Sequence, residues 1–317
     1  MSVRPVRPPA VSADERESLR SVLAALAANT VIATAKGVAA ALTGSSALFA
    51  ETLHTVADAG NGLFLVVALR RSGRAPDALH PFGYGQERYY WALLAAVGMF
   101  VIGGAVSIWE GIQALLHPPE LEAFWVGVGV LVVALVLDGL SRTVAVRALR
   151  GQAQRRGVSR RTLLRESADP TVTTVYFEDT IDVLGAALAL VALVLHRVTG
   201  SALPDALATL AIGALLAYVA VRLASRNRAL LSNQAVPERY VAWLRERLAA
   251  EPGIASVATV EAVFLGPGEV LVVAEVRMEP GLTGEEVASD LKRVRSVIRK
   301  EVPGIAQFYL TPVTAER

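Results

Sequence analysis

The chain has 317 residues, 53% of them hydrophobic and 19% charged, with a formal net charge of +2 and a mean hydropathy of +0.46. That balance is too apolar for an ordinary soluble domain. The lack of cysteine excludes disulfides, thiolate metal sites and a cysteine nucleophile, and leaves His54, His80, His117 and His196 as the only imidazoles a metal site can use.

Residues 1–18 are rich in Pro and Arg and have no apolar core. They read as a cytoplasmic, partly disordered tail rather than a signal peptide. A first apolar segment runs from Leu19 to Leu42, long enough to span a bilayer, with Arg20 at its edge and Lys36 as the charge within it. After a TGSS turn a second span runs to Leu69. The segment RRSGRAPDALHPFGYGQERYY is a basic, Pro- and Gly-broken loop.

Tyr89 to Leu116 forms a third span with Glu110 late in it, and HPPELEA is a short acidic turn. Phe124 to Val146 is the fourth span, carrying Asp138 and then Arg142, and RALRGQAQRRGVSRRTLLRES is the most basic tract of the chain. Pro170 opens a fifth span, Thr171 to Leu195, and His196 to Asp205 is a short turn. Ala206 to Leu223 is the sixth span. Lys and Arg concentrate in alternate connections, which places both termini and the basic loops in the cytoplasm.

Beyond residue 236 the composition becomes that of a soluble domain. PERYVAWLRERLAAEPG reads as a helix, and Ile254–Phe264 and Glu269–Met278 as strands joined at a Gly-Pro-Gly turn. Thr283 and Glu286 form a capping box at the start of a second helix, and Ile305–Val313 is a last strand. The expected architecture is therefore an α-helical polytopic membrane protein. Its six transmembrane helices occupy residues 19–224, and a cytoplasmic α+β domain of αββαβ order occupies residues 236–317.

The second span is where the chemistry concentrates. Glu51, His54, Asp58 and Asn61 fall on one stripe of its helix. Ionisable groups in hydrocarbon are costly unless they face a protein interior or a water-filled path. His54 and Asp58, one turn apart, can place an imidazole nitrogen and a carboxylate oxygen on one divalent ion. The fifth span repeats the pattern with Glu178 and Asp182, while the adjacent Asp179 points about 100° away. Two such pairs close a cage of one imidazole and three carboxylates, which suits zinc and also accepts manganese, iron, cobalt or cadmium. Cross-helix hydrogen bonding is the plainer reading of such polar residues, but two matched pairs in a chain sparing with intramembrane charge favour the metal. Glu51 is either a partner that fixes the tautomer of His54 or a group at the cavity mouth. Asp138 and Glu110 read as packing or cavity-lining groups, and His117 and His196 as solvated histidines at loop edges.

SSALFAETLHTVADAGN, preceded by Lys36 and followed by HPFGYGQER, resembles the cation diffusion facilitator (cation efflux) family. HPFGYGQERYYWALLAAVGMF, GIQALLHPP and RESADPTVTTVYFED look most like its zinc transporter 9-like branch. The resemblance extends over nearly the whole chain and implies the metal ligands His54, Asp58, Glu178 and Asp182. Glu178 departs from the histidine usual at that position in zinc members, which makes the site more anionic. Some members carry a second metal site in the loop after span two; Asp77 is in place here, Tyr84 stands at the histidine position, and His80 is the nearest substitute. The C-terminal region has no histidine or cysteine, so the resemblance implies a ferredoxin-like dimerisation domain there rather than a zinc sensor.

The function implied is a homodimeric secondary transporter in the plasma (inner) membrane. It moves Zn²⁺ out of the cytoplasm in exchange for protons, with Mn²⁺ or Fe²⁺ as the alternative cargo. No cofactor other than the transported cation and no nucleic-acid partner is expected, and the surroundings are membrane lipid. An enzyme is not expected either: four protein ligands leave no open coordination position, and no HExxH-type motif is present.

Overall fold

The computed structural model describes residues 15–314 apart from 167, 169 and 303. The predicted tail, residues 1–18, lies outside them except for its last residues. The elements are α1 (Glu15–Thr43), α2 (Ser46–Ser72), α3 (Glu87–Gly98), a π-helical stretch (Met99–Ala105), α4 (Val106–Leu116), α5 (Phe124–Arg156), α6 (Arg160–Glu166), α7 (Pro170–Thr199) and α8 (Leu203–Leu231). A smaller unit follows, with α9 (Glu238–Ala249), β1 (Ile254–Gly266), β2 (Glu269–Met278), α10 (Gly284–Glu301) and β3 (Ile305–Pro312).

Among the described residues, five helical segments are long and apolar enough to cross a membrane: α2, the run Glu87–Leu116, the greater parts of α5 and α7, and the whole of α8. They differ in how far protein covers them. Half of the most apolar window of α8 is buried, against 17% of that of α5. An apolar helix bare of protein on its outer face is suited to hydrocarbon, so α5 lies at the periphery and α8 at the centre. The helix α1 packs along α2 and α5.

The run Glu87–Leu116 is one continuous path whose middle turns are π-helical. Such a bulge alters helical phase within a span. Close approach to α8 accompanies it: a Cβ on Gly104 would meet the Ala217 backbone at 3.2 Å, and one on Gly213 would meet the Ile108 backbone at 2.9 Å. Small residues let membrane helices approach to backbone contact, where packing replaces the absent hydrophobic drive.

Several sequence boundaries need correction. The basic tract after the fourth span is not a loop throughout, because α5 continues to Arg156 and α6 follows. Charged residues with good helix propensity extend a helix out of the apolar region when nothing stops it; the stop comes at Gly157, with φ +64°. The stretch His196 to Asp205 is not a turn of that length either, since α7 runs to Thr199 and α8 begins at Leu203. His196 is consequently on a helix and buried, not solvated, whereas His117 is exposed.

In the smaller unit β1 pairs antiparallel with β2, Val260 opposite Ala274, and β2 pairs parallel with β3, Val272 opposite Phe308. The sheet order is β1-β2-β3. The parallel pair needs a crossover, which α10 supplies. Thr283 caps α10 as its sequence predicts: its hydroxyl accepts from Glu286 N, and the Glu286 carboxylate accepts from Thr283 N at 2.7 Å. Val272, Ala274, Val276, Val294 and Ile298 fill the core between sheet and helices. The same apolar cluster takes in Tyr89 from the start of α3 and Ala168 from the segment before α7. The helical bundle and the sheet are therefore joined by packed side chains as well as by the chain.

Candidate metal site

The helix α2 begins at a built anchor. Ser45 is its N-cap, the hydroxyl accepting from Leu48 N at 3.1 Å and donating to Asp205 Oδ1 at 2.7 Å. The backbone N–H of Ser46 donates to Asp205 Oδ2 at 2.7 Å, and the Ser46 hydroxyl to the same oxygen at 3.0 Å. A carboxylate from α8 thus takes up donors that a helix N-terminus leaves free, at the end where the helix dipole favours negative charge. Asp205 is fully buried. Sequence reasoning passed over it; the available signal was an acidic residue at the start of the sixth span opposite the Ser-Ser pair that opens the second.

From that anchor the stripe of α2 runs into the bundle. Glu51, His54 and Asp58 are all buried. The helix α2 packs on α1, α3, α7 and α8, and its contact with α7 brings Asp182 to the same level. His54 Nε2 lies 3.4 Å from Asp58 Oδ2 and 3.6 Å from Asp182 Oδ1. One ligand atom from each of His54, Asp58 and Asp182 falls within 4.8 Å of the others. Neither ring nitrogen of His54 has a hydrogen-bond partner, nor has Asp58 Oδ1. Buried polar atoms are paired in nearly all cases. A divalent cation among an imidazole and two carboxylates satisfies the lone pairs that the protein leaves open.

Glu178 stands apart from these three. Its carboxylate accepts a hydrogen bond from the Asn61 side-chain amide, one turn beyond Asp58 on α2. The spacing of Asn61 puts it on the stripe without assigning it a role; in the structure its amide is the hydrogen-bond donor to Glu178. Asp179 points elsewhere, as its helical phase requires, and accepts from the Ser141 hydroxyl of α5 at 3.0 Å. Asp138, also on α5, is half-buried with one oxygen unpartnered.

Glu51 pairs with neither His54 nor solvent. Lys36 Nζ, from α1, donates to Glu51 Oε2 at 3.0 Å and to the Thr55 hydroxyl at 3.0 Å. Both charges are buried, so the lysine is a partner inside the bundle.

The loop between α2 and α3 is arranged around Asp77. Its carboxylate accepts from the Tyr84 hydroxyl at 2.6 Å and from the backbone N–H groups of Leu79 and His80 at 2.9 and 2.8 Å. The Tyr84 hydroxyl and these N–H groups hold the Asp77 carboxyl below its ordinary pKa. The His80 ring lies 4.0 Å from the Tyr84 ring, centroid to centroid. Asp77 and His80 are both exposed, and the aspartate is engaged in shaping the loop.

A model of the cation efflux transmembrane domain matches residues 22–232. The chain belongs to the cation efflux family. It is 34% identical over 234 residues to the proton-coupled zinc antiporter SLC30A9, mitochondrial, of Mus musculus, across 74% of this chain and 41% of that protein. It is 32% identical over 269 residues to metal tolerance protein C4 of Arabidopsis thaliana, across 84% of this chain and 58% of that protein. The chain thus spans about half the length of these relatives. It is 27% identical over 292 residues to the cation-efflux pump FieF of Cronobacter sakazakii, across 90% of this chain and 89% of that protein. The family is one of transporters, and this cation efflux protein, with five long apolar helices among the described residues, is an integral membrane protein carrying a small C-terminal sheet domain.

Proposed function

We propose that this chain is a secondary transporter that moves Zn²⁺ out of the cytoplasm in exchange for protons. The observation that carries the reading is the meeting of His54, Asp58 and Asp182 inside the bundle, with ligand atoms within 4.8 Å of one another and several of them unpartnered. Membership of the cation efflux family and likeness to a proton-coupled zinc antiporter support the same reading.

The chemistry of exchange follows from the donors. Only a neutral imidazole and ionised carboxylates ligate, so cation and protons compete for the same atoms. Facing the cytoplasm, His54, Asp58 and Asp182 give up protons and take the ion. Facing outward, they are protonated and release it. Glu178 is the fourth ligand, turning from Asn61 towards the ion when the site fills. Alternating exposure of a site between packed helices completes the cycle.

In the same reading α1 is the sixth span, and both termini and the sheet domain lie on the cytoplasmic side of the plasma (inner) membrane. The sheet domain, residues 236–317, pairs two copies into a homodimer. The loop around Asp77 and His80 carries no metal. A second reading rests on Glu178: a donor set with three carboxylates is oxygen-rich, which favours Mn²⁺ or Fe²⁺.

Calorimetry on the purified protein with Zn²⁺, Mn²⁺ and Fe²⁺ separates these readings. Tightest binding of Zn²⁺, lost on His54→Ala, supports the first. Preference for Mn²⁺ or Fe²⁺ transfers support to the second, and no binding of any of them removes both.

A further inference from the structure

The Lys36–Glu51 pair is more than a neutralised charge. Glu51 is fully buried, yet only Oε2 is bonded; Oε1 has no hydrogen-bond partner. That free oxygen points at the backbone of α7. A Cβ added to Gly185 would lie 1.9 Å from Glu51 Oε1 and 3.0 Å from its Cδ. Gly185 comes three residues after Asp182, and Glu51 three before His54. The contact therefore lies about one helical turn from the ligand level, on the faces of α2 and α7 that carry the ligands.

We propose that the buried Lys36–Glu51 pair, seated on Gly185, is a spacer that fixes the separation of α2 and α7 and so sets the size of ion their ligands accept. Glu51 is suited to this because it cannot readily turn aside. Lys36 holds one oxygen at 3.0 Å, and Thr55 holds Lys36 at 3.0 Å in turn. Rotating the carboxylate away from α7 would leave a buried ammonium without its anion, which a protein interior penalises heavily. Gly185 is suited to it because any side chain there meets the carboxylate. Alanine is otherwise the better helix former, so backbone propensity gives no reason for glycine in the middle of α7. The spacing matters because zinc–oxygen bonds are short, about 2.0–2.2 Å, and a ligand set moved apart suits a larger ion such as Cd²⁺ better. Glu51, Lys36 and Gly185 are positioning residues in this scheme; none need touch the ion.

The inference rests on the α2–α7 metal site, so the test includes a variant that addresses that site alone. Affinities for Zn²⁺ and for Cd²⁺ are measured on the full-length purified protein. The set is wild type, Gly185→Ala, Glu51→Asp, the double variant Gly185→Ala with Glu51→Asp, and Asp58→Asn. Gly185→Ala forces the helices apart and is expected to weaken Zn²⁺ binding by roughly tenfold or more, the scale seen for groups that orient ligands, and Cd²⁺ binding by much less. Aspartate at position 51 is shorter by one bond, about 1.5 Å, and can still face Lys36. Adding it to Gly185→Ala is expected to return the Zn²⁺/Cd²⁺ ratio towards the wild-type value.

A ratio unchanged by Gly185→Ala overturns the spacer, as does a folded double variant that keeps the altered ratio. Should Gly185→Ala alone fail to fold, recovery of a folded, zinc-binding protein on adding Glu51→Asp supports the contact, and no recovery overturns it. Loss of binding in Asp58→Asn beside an indifferent Gly185→Ala removes the spacer and leaves the site. Undiminished binding in Asp58→Asn removes the site itself.

Discussion

The side-chain amide of Asn61 on α2 holds the carboxylate of Glu178 on α7, so two residues from different helices meet beside the candidate site, one turn from Asp58. The pairing gives Glu178 a hydrogen-bond donor while it stands outside the cluster of His54, Asp58 and Asp182. Glu178→His replaces a carboxylate by an imidazole at this position. Imidazole suits Zn²⁺ and carboxylate suits the harder Mn²⁺, and the loss of a negative charge weakens attraction for both ions. For Zn²⁺ these effects oppose each other, and for Mn²⁺ they add. Zn²⁺ affinity should change little and Mn²⁺ affinity should fall, as read by titration of both ions at one pH. Asp179→Asn removes a charge as well, but from a side chain turned to Ser141 and away from the ligand face, and should affect both ions less.

His54→Ala removes the one imidazole of the cluster. The fall in Zn²⁺ affinity should exceed the roughly 10–100-fold that loss of an orienting partner costs. The protein should remain folded, because His54 makes no hydrogen bond in the structure. Calorimetry paired with a thermal melt reads both quantities, and near-normal binding would take His54 out of the site.

Asp205→Ala should act on stability. Its carboxylate receives the Ser45 and Ser46 hydroxyls and the Ser46 backbone N–H at the start of α2. Hydrogen bonds to a charged group are worth about 1.5–3 kcal/mol each, and they are not additive. A loss on the order of 3 kcal/mol is expected, visible as a lowered melting temperature in detergent. Asp205→Asn keeps the shape and one acceptor, and should lose less. Equal stability of Asp205→Ala and wild type would show that the anchor is dispensable.

The loop around Asp77 should bind no metal. With its carboxylate already accepting from Tyr84, Leu79 and His80, Asp77→Ala should loosen the loop. The number of Zn²⁺ ions bound per chain should stay the same. A stoichiometry reduced by one would place a metal there.

Much of this was legible in the sequence because helical phase is a strong constraint. The three-, four- and three-residue steps from Glu51 to Asn61 put one face of α2 inward whatever the surroundings, and the same geometry turns Asp179 towards Ser141 and away from that face. The αββαβ order was legible for similar reasons, through period-two strands and the Thr283 capping box. What was not legible depends on how helices sit against one another. The partners of Glu51, Glu178 and Asp205 are Lys36, Asn61 and the Ser45–Ser46 pair, and each lies on another helix. His196 was misjudged because the end of α7 lies beyond the last strongly apolar residues, at Thr199. The π-helical stretch carries no distinguishing composition beyond its glycines.

The central claim is that the ion held between α2 and α7 is exchanged for protons. Its most direct test is flux into proteoliposomes, with Zn²⁺ and internal pH followed together by two dyes, in wild type and Asp58→Asn. Because protons compete for the ligands, wild type should carry Zn²⁺ in one direction and protons in the other, faster when the pH gradient drives the exchange. Asp58→Asn should abolish both signals. Undiminished Zn²⁺ flux in Asp58→Asn, or wild-type Zn²⁺ flux with no proton movement, would contradict the account.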